Sequence, residues 1–232
     1  MMMQIDVPLA AGINQVSALL DRPADARWLY VCAHGAGAGM RHAFLERLAA
    51  ILGAYGIATL RYNFLYMEAG KGRVDPPALA HAAVRAAVAA AAAAAPGLPI
   101  LAGGKSFGGR MTSQTQAAEP LAAVRGLVFF GFPLHPPGKP DTARADHLDQ
   151  VRVPLLFLQG TRDEFAQLDF LRPVVERLGP RATLHTIEGG DHSFKVKKSA
   201  GRTELEVLGE LAGVVREWTL KIPGPSARGQ PT

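Results

Sequence analysis

The sequence predicts an α/β fold, a largely parallel sheet with helices on both faces. Three observations predict it. Short runs are apolar at nearly every position, such as Trp28-Leu29-Tyr30-Val31-Cys32-Ala33 and Val153-Pro154-Leu155-Leu156-Phe157-Leu158. Strands of a parallel sheet are covered on both faces, so they read as continuous apolar runs. Between these runs lie segments with apolar residues at helical spacing. The third observation is Gly104-Lys105-Ser106-Phe107-Gly108, which follows the apolar run Leu98 to Gly103 and opens a helix-like segment. A Gly-x-Ser-x-Gly turn between strand and helix holds its serine in a strained, outward-pointing position, and only small residues fit two before and two after it.

The elements follow in order. Gln4 to Leu9 and Gln15 to Leu20 read as two short strands able to pair as a hairpin, and Trp28 to Ala33 is the third strand. Arg41 to Tyr55 carries Phe44, Leu45, Leu48, Ile51 and Leu52 at helical spacing, and Gly56 ends it. Ile57 to Tyr62 is a strand, and Pro76-Pro77 opens an alanine-rich helix, as proline does in a first turn. That helix is broken by His81 and Arg85 and ends at Pro96-Gly97; it reads as too short and too weakly hydrophobic to span a membrane. The elbow strand comes next, then a helix from Phe107 to Glu119 and a strand from Val124 to Phe130. Val153 to Leu158 is strand, Phe165 to Leu178 helix, Thr183 to Ile187 the last strand, and Thr203 to Trp218 a final amphipathic helix.

An apolar fraction of 48% in 232 residues supports one domain, assigned to residues 1–221, with a Pro-, Gly- and Ser-rich tail at 222–232 expected to be disordered. The single cysteine, Cys32, excludes an intramolecular disulfide, which suits a cytoplasmic protein; it lies in a strand and reads as a buried apolar residue. The start Met1-Met2-Met3-Gln4-Ile5-Asp6 lacks the basic and apolar regions of a signal peptide. The net charge of +5 includes one cluster, Lys195, Lys197, Lys198 and Arg202. So short a cluster reads as a solvated face, or as an attraction for an anionic substrate, rather than as a nucleic-acid site.

A serine on such an elbow draws its partners from later strand ends, in the order serine, acid, histidine. Asp163 follows the strand ending at Leu158, in Gln159-Gly160-Thr161-Arg162-Asp163, and His192 follows the last strand, in Glu188-Gly189-Gly190-Asp191-His192. Taken singly, Asp163 is a helix cap and His192 a surface histidine. Together with Ser106 they fall at three strand ends in the required order. Ser106 is then the nucleophile, His192 the general base and later acid, and Asp163 the group that fixes the imidazole tautomer. Glu164 and Asp191 are competing acids, one farther from its strand and one better placed to shape the loop; His185, the other late histidine, lies inside a strand.

An oxyanion hole needs two N–H groups aimed at the developing charge. Phe107 supplies one, and the loop His34-Gly35-Ala36-Gly37-Ala38-Gly39-Met40 supplies the other, with Ala36 first and Gly37 next. The alternating glycines do not match a dinucleotide fingerprint, and no phosphate-loop lysine follows.

These residues resemble the α/β-hydrolase superfamily, and within it the small single-domain serine hydrolases related to dienelactone hydrolases and compact bacterial carboxylesterases. The resemblance runs from Trp28 to Trp218 and is carried by His34–Met40, Gly103–Met111, Pro133-Leu134-His135-Pro136-Pro137-Gly138 and Gly160-Thr161-Arg162-Asp163. These segments look like a subgroup with a testis-expressed eukaryotic protein and a chromatin-complex subunit among its relatives. The resemblance implies an eight-stranded, mostly parallel sheet and hydrolysis of acyl esters. Dienelactone hydrolases use a cysteine nucleophile where this chain has Ser106, so their lactone substrate does not carry over.

The connection from Phe132 to Asp146, stiffened by Pro133, Pro136, Pro137 and Pro140, is too short for a lid domain and predicts an open or shallow site. The loop Asn63 to Arg73 is expected as another wall, in which Phe64, Leu65, Tyr66 and Met67 either line an acyl pocket or pack beneath the loop. Lys105, Arg110 and Arg162 either bind an anionic group or make structural ion pairs. The expected substrate is a small-molecule ester, with no cofactor, metal, nucleic acid or membrane implied. Thioester or peptide-like acyl hydrolysis shares this machinery, and a non-catalytic interaction module would share the fold.

Overall fold

A computed structural model describes residues 1–10 and 12–222. One eight-stranded sheet organises them, in the order β1-β2-β4-β3-β5-β6-β7-β8. The strands are β1 Met2–Leu9, β2 Gly12–Asp21, β3 Trp28–Ala33, β4 Ile57–Tyr62, β5 Ile100–Lys105, β6 Val124–Phe130, β7 Leu155–Gly160 and β8 Ala182–Ile187. β1 and β2 form the antiparallel hairpin and β2 pairs antiparallel with β4; every pairing from β4 to β8 is parallel.

Alternation along each central strand divides the core between two faces. Leu29, Val31, Leu127, Phe129, Leu155 and Phe157 face one side. Three helices cover it: α3 Pro77–Ala94, α4 Phe107–Ala118 and α5 Leu168–Leu178. Tyr30, Cys32, Val128, Phe130, Leu156 and Leu158 face the other, under α1 Ala43–Ala54 and α6 Glu204–Thr219. Both faces are therefore dry, which is why these strands are apolar throughout.

α6 begins with a capping box, Thr203 Oγ1 accepting from Glu206 N and the Glu206 carboxylate accepting from Thr203 N. α1 begins at Ala43 rather than Arg41, because His42 caps it through Nδ1. α5 begins at Leu168 rather than Phe165, because Asp163 Oδ1 holds Phe165 N in a tight turn before the helix. The expected loop Asn63 to Arg73 contains a short helix, α2 Leu65–Glu68.

α3 departs from expectation on one point. By length and composition it is apolar enough to cross a membrane. Here Ala80, Ala83, Val84, Ala87, Val88 and Ala91 form its buried face against the sheet. Of the expected tail, Ile222 is packed in the same apolar cluster as Trp218, and the rest of 222–232 lies outside the described residues.

All the parallel strands end on one edge, and Ser106, Asp163, His192 and the His34–Met40 loop stand just beyond it. Among the described residues no inserted lid covers that edge; the chain after Phe132 leads directly into a 3₁₀ segment, Ala143–Gln150, which takes up the end of the Phe132–Asp146 connection.

Candidate active site

Ser106 joins β5 to α4 with φ 49 and ψ −116, a left-handed conformation costly for a residue with a Cβ. The close approach of β3 makes the turn possible only with glycine on both sides. A Cβ at Gly104 would lie 2.1 Å from Ala33 O, and one at Gly108 would lie 2.6 Å from both Ala33 O and His34 O. Ser106 occupies the cap position of α4, where serine normally binds the helix end, yet its side chain makes no cap bond. Its hydroxyl lies instead 2.9 Å from His192 Nε2.

The proton chain then continues. His192 Nδ1 donates to Asp163 Oδ2 at 2.7 Å, which leaves Nε2 as the acceptor for Ser106 Oγ–H. The Asp163 side chain is fully buried and bonded on both oxygens. Oδ2 also accepts from Gln159 Nε2 at 2.5 Å, and Oδ1 accepts from Phe165 N at 2.8 Å. Gln159 cannot flip, because its own Oε1 accepts from Phe132 N at 3.0 Å. The Phe165 ring lies 4.4 Å from the imidazole centre and limits how the histidine turns.

Of the competing acids, Glu164 is exposed and Asp191 is bonded within its own loop. Asp191 Oδ1 accepts from Ser193 N and Lys195 N and shapes the histidine loop. His185 bonds to Glu210 on α6. A second serine–histidine contact joins Ser113 Oγ to His147 Nε2 at 2.8 Å. The Ser113 proton goes to Arg110 O, so His147 is the donor there and does not act as a base toward that serine.

The His34–Met40 loop lies against the elbow; a Cβ at Gly35 would stand 3.8 Å from Ser106 Cβ. Among the described residues, the N–H groups of Ala36 and Phe107 have no protein acceptor. The Gly37 N–H, the second choice for that role, is bonded to Tyr66 Oη at 2.8 Å and is not free.

Among the described residues, the lining of the cleft at Ser106 includes none from the Asn63–Arg73 loop. Phe64 and Tyr66, expected either to line an acyl pocket or to pack beneath the loop, are buried to within 1% and pack with His34, Tyr62 and Phe107 behind the His34–Met40 loop. The open cleft at Ser106, of about 560 Å³, lies on the opposite side. Ala38, Ala43, Phe44, Leu45 and Phe165 give it an apolar lining. His42, Lys195 and the ion pair of Arg47 with Glu204 form its rim. The sequence reading missed this wall, because Phe44 and Leu45 have the spacing of ordinary core residues.

Lys105 also lines the cleft, but its ammonium donates to His192 O at 2.5 Å. Burial pushes its pKa down to about 8 despite the carboxylates of Asp163 and Asp191. Arg110 faces Arg144, and Arg162 reaches Gly189 O at 3.5 Å. Among the described residues none of these three cations forms an ion pair, so the structural pairing considered for them is not what the structure contains.

A family model for the alpha/beta hydrolase domain matches residues 26–220. The chain belongs to the α/β hydrolase family. Among solved structures, a dienelactone hydrolase from Anabaena variabilis shares 20% identity, with 97% of this chain and 99% of that one covered and a TM-score of 0.75. An α/β serine hydrolase without a lid from Xanthomonas campestris shares 22%, covering 97% and 96%, with a TM-score of 0.70. The esterase domain of a Rhodothermus marinus protein shares 16%, covering 97% and 100%, also with a TM-score of 0.70. At such identities these likenesses establish the α/β-hydrolase fold, and the site must be argued from its own residues.

Proposed function

We propose that this α/β hydrolase is a serine esterase that cleaves small carboxylic esters through an acyl-enzyme. The observation that carries the reading is the directed chain from Ser106 Oγ–H to His192 Nε2 and from His192 Nδ1–H to Asp163. His192 takes the Ser106 proton as Oγ attacks the ester carbon. The carbonyl oxygen becomes an oxyanion facing the N–H groups of Ala36 and Phe107. Collapse of this intermediate expels the alcohol, which takes the proton from His192. Water repeats the cycle, giving its proton to His192 and releasing the acid and free Ser106.

The open cleft of about 560 Å³, with an apolar wall and no lid among the described residues, supports a small acyl or alkoxy group. The structural neighbours described as a serine hydrolase without a lid and as an esterase domain agree with this class. A fluorophosphonate probe tests the reading. The wild type and Ser113→Ala are expected to be labelled and Ser106→Ala is not; an unlabelled wild type, or equal labelling of Ser106→Ala, overturns it. With nitrophenyl esters, acetate and butyrate should turn over faster than long-chain esters, and rates rising steadily with chain length would contradict the small site.

A further inference from the structure

Lys105 has no part in the proton chain, yet it touches the backbone of the residue on which that chain turns. It is the last residue of β5 and the immediate neighbour of Ser106. Its Nζ donates to the carbonyl of His192, 87 positions away, at 2.5 Å. The bonds within the histidine loop are Asp191 Oδ1 with Ser193 N and Lys195 N, Asp191 N with Lys195 O, and Phe194 N with Asp191 O, and the base of the loop is tied to the turn after β7 by Arg162 N on Gly190 O and Gly189 N on Thr161 Oγ1. None of these bonds runs to β5, the strand that ends at the elbow.

Two further features serve the same contact. Gly131, just past β6 with φ +70, leaves the space it needs. A Cβ there would lie 2.9 Å from Lys105 Nζ, 3.3 Å from His192 O and 3.4 Å from His192 Cε1. Phe194 holds a left-handed φ of 63, rare for an aromatic residue, and places its ring 5.5 Å from the ammonium. A strained residue persists where its surroundings over-determine it, and the ammonium over this ring is part of that constraint.

We propose that Lys105 is a positioning residue, whose bond to the His192 carbonyl ties the histidine loop to the nucleophile's own strand and sets the Ser106–His192 distance. This rests on the serine-esterase reading above. The ammonium faces Asp163 from the β7–α5 turn and Asp191 and His192 from the histidine loop, with His42 and Arg47 of the α1 end across the same cleft. Deprotonation near pH 8 leaves a neutral amine, a weaker donor to the same carbonyl.

Lys105→Met keeps the aliphatic stem and removes the donor. Its kcat on nitrophenyl acetate should fall about 100-fold, the usual cost of a misplaced catalytic group, with KM within about twofold and the thermal midpoint unchanged. The wild-type kcat should fall as pH rises through about 8, and that fall should move upward in Lys105→Arg, which should also recover part of the rate lost in Lys105→Met. Gly131→Ala should reproduce the loss in kcat, and the double variant should be no slower than the slower single one, because both act through one contact. A wild type that labels at Ser106 beside a Lys105→Met that labels and turns over at the same rate overturns the positioning role alone. So does a purely additive double variant. A wild type inert to the probe overturns the esterase reading and this role with it.

Discussion

Asp163→Asn is the sharpest test of the proposed proton chain, because the site leaves the amide no neutral placement. The carboxylate accepts three hydrogen bonds, from His192 Nδ1, Gln159 Nε2 and Phe165 N, and donates none. An amide brings an NH2 group that must face one side. Turned toward Oδ2, it meets the Gln159 NH2, which is held in place by Phe132 N, and it drives the imidazole proton from Nδ1 to Nε2. Nε2–H then points at Ser106 and takes no proton from it; a triad with the wrong tautomer loses on the order of 10⁴ in kcat. Turned toward Oδ1, it leaves the buried Phe165 N–H facing a donor and keeps the tautomer, but no anion then faces the imidazolium. Opposite unit charges about 4 Å apart at an effective dielectric near 20 attract by about 4 kcal/mol, so this arrangement loses on the order of 10³ in rate. Either way kcat for nitrophenyl acetate should fall by at least about 10³ with KM little changed, while far-ultraviolet circular dichroism stays native. A rate within tenfold of wild type would refute Asp163 as the orienting acid.

The remaining predictions concern stability. Gly108→Ala places a Cβ 2.6 Å from two backbone oxygens that cannot withdraw, and should cost more than about 3 kcal/mol in chemical denaturation. Gly213→Ala on α6 meets nothing closer than the Tyr55 hydroxyl at 3.7 Å and should stabilise by about 0.5–1 kcal/mol; equal effects of the two would refute the packing argument. His34 is buried with its Nδ1 on Gly35 O and its Nε2 accepting from Phe64 N, and burial holds its pKa down at about 4 against an unfolded value of 6.5. Between those pH values the unfolded chain binds the extra proton, so stability falls as pH drops from 6.5 to 4 and no further below it. At about 1.4 kcal/mol per pH unit the wild type should lose about 3 kcal/mol more than His34→Gln over that range in urea titrations; parallel losses would refute the assignment.

Much of the fold is legible because dry strands carry a local signature. β3, β6 and β7 are apolar at nearly every position, and the sheet buries both faces of each. That Ser106, Asp163 and His192 meet was legible for a related reason, since each follows the end of a strand, β5, β7 or β8, and the spacing places all three beyond one edge of the sheet. The cleft wall was not. Phe44 and Phe64 are both aromatic and next to loops, yet Phe44 lines the cleft and Phe64 is buried behind the His34–Met40 loop. Which side of a loop faces solvent depends on the path of the chain above it, and spacing does not encode that. The Lys105 contact was hidden because its acceptor is a backbone carbonyl, which every residue has. Gln159 did leave a signal, as a polar residue ending the otherwise apolar run Leu155-Leu156-Phe157-Leu158.

The displaced aromatic residues explain how a glycine-rich loop can form one wall of a proposed oxyanion hole. A hole of this kind works only if its donors are held before the charge arrives. The His34–Met40 loop contains Gly37 and Gly39, both with positive φ, and by composition it should be soft. It is pinned at several points. His34 Nε2 accepts from Phe64 N, Gly37 N donates to Tyr66 Oη, Ala38 N donates to Gly35 O, and Met40 N donates to Asn63 Oδ1. Tyr66 is itself fixed through its backbone N–H to the Asp75 carboxylate. The Asn63–Tyr66 segment thus contributes to the site from behind. By taking up the Gly37 donor and anchoring the loop on either side of Ala36, it leaves the Ala36 N–H beside the elbow without an acceptor among the described residues.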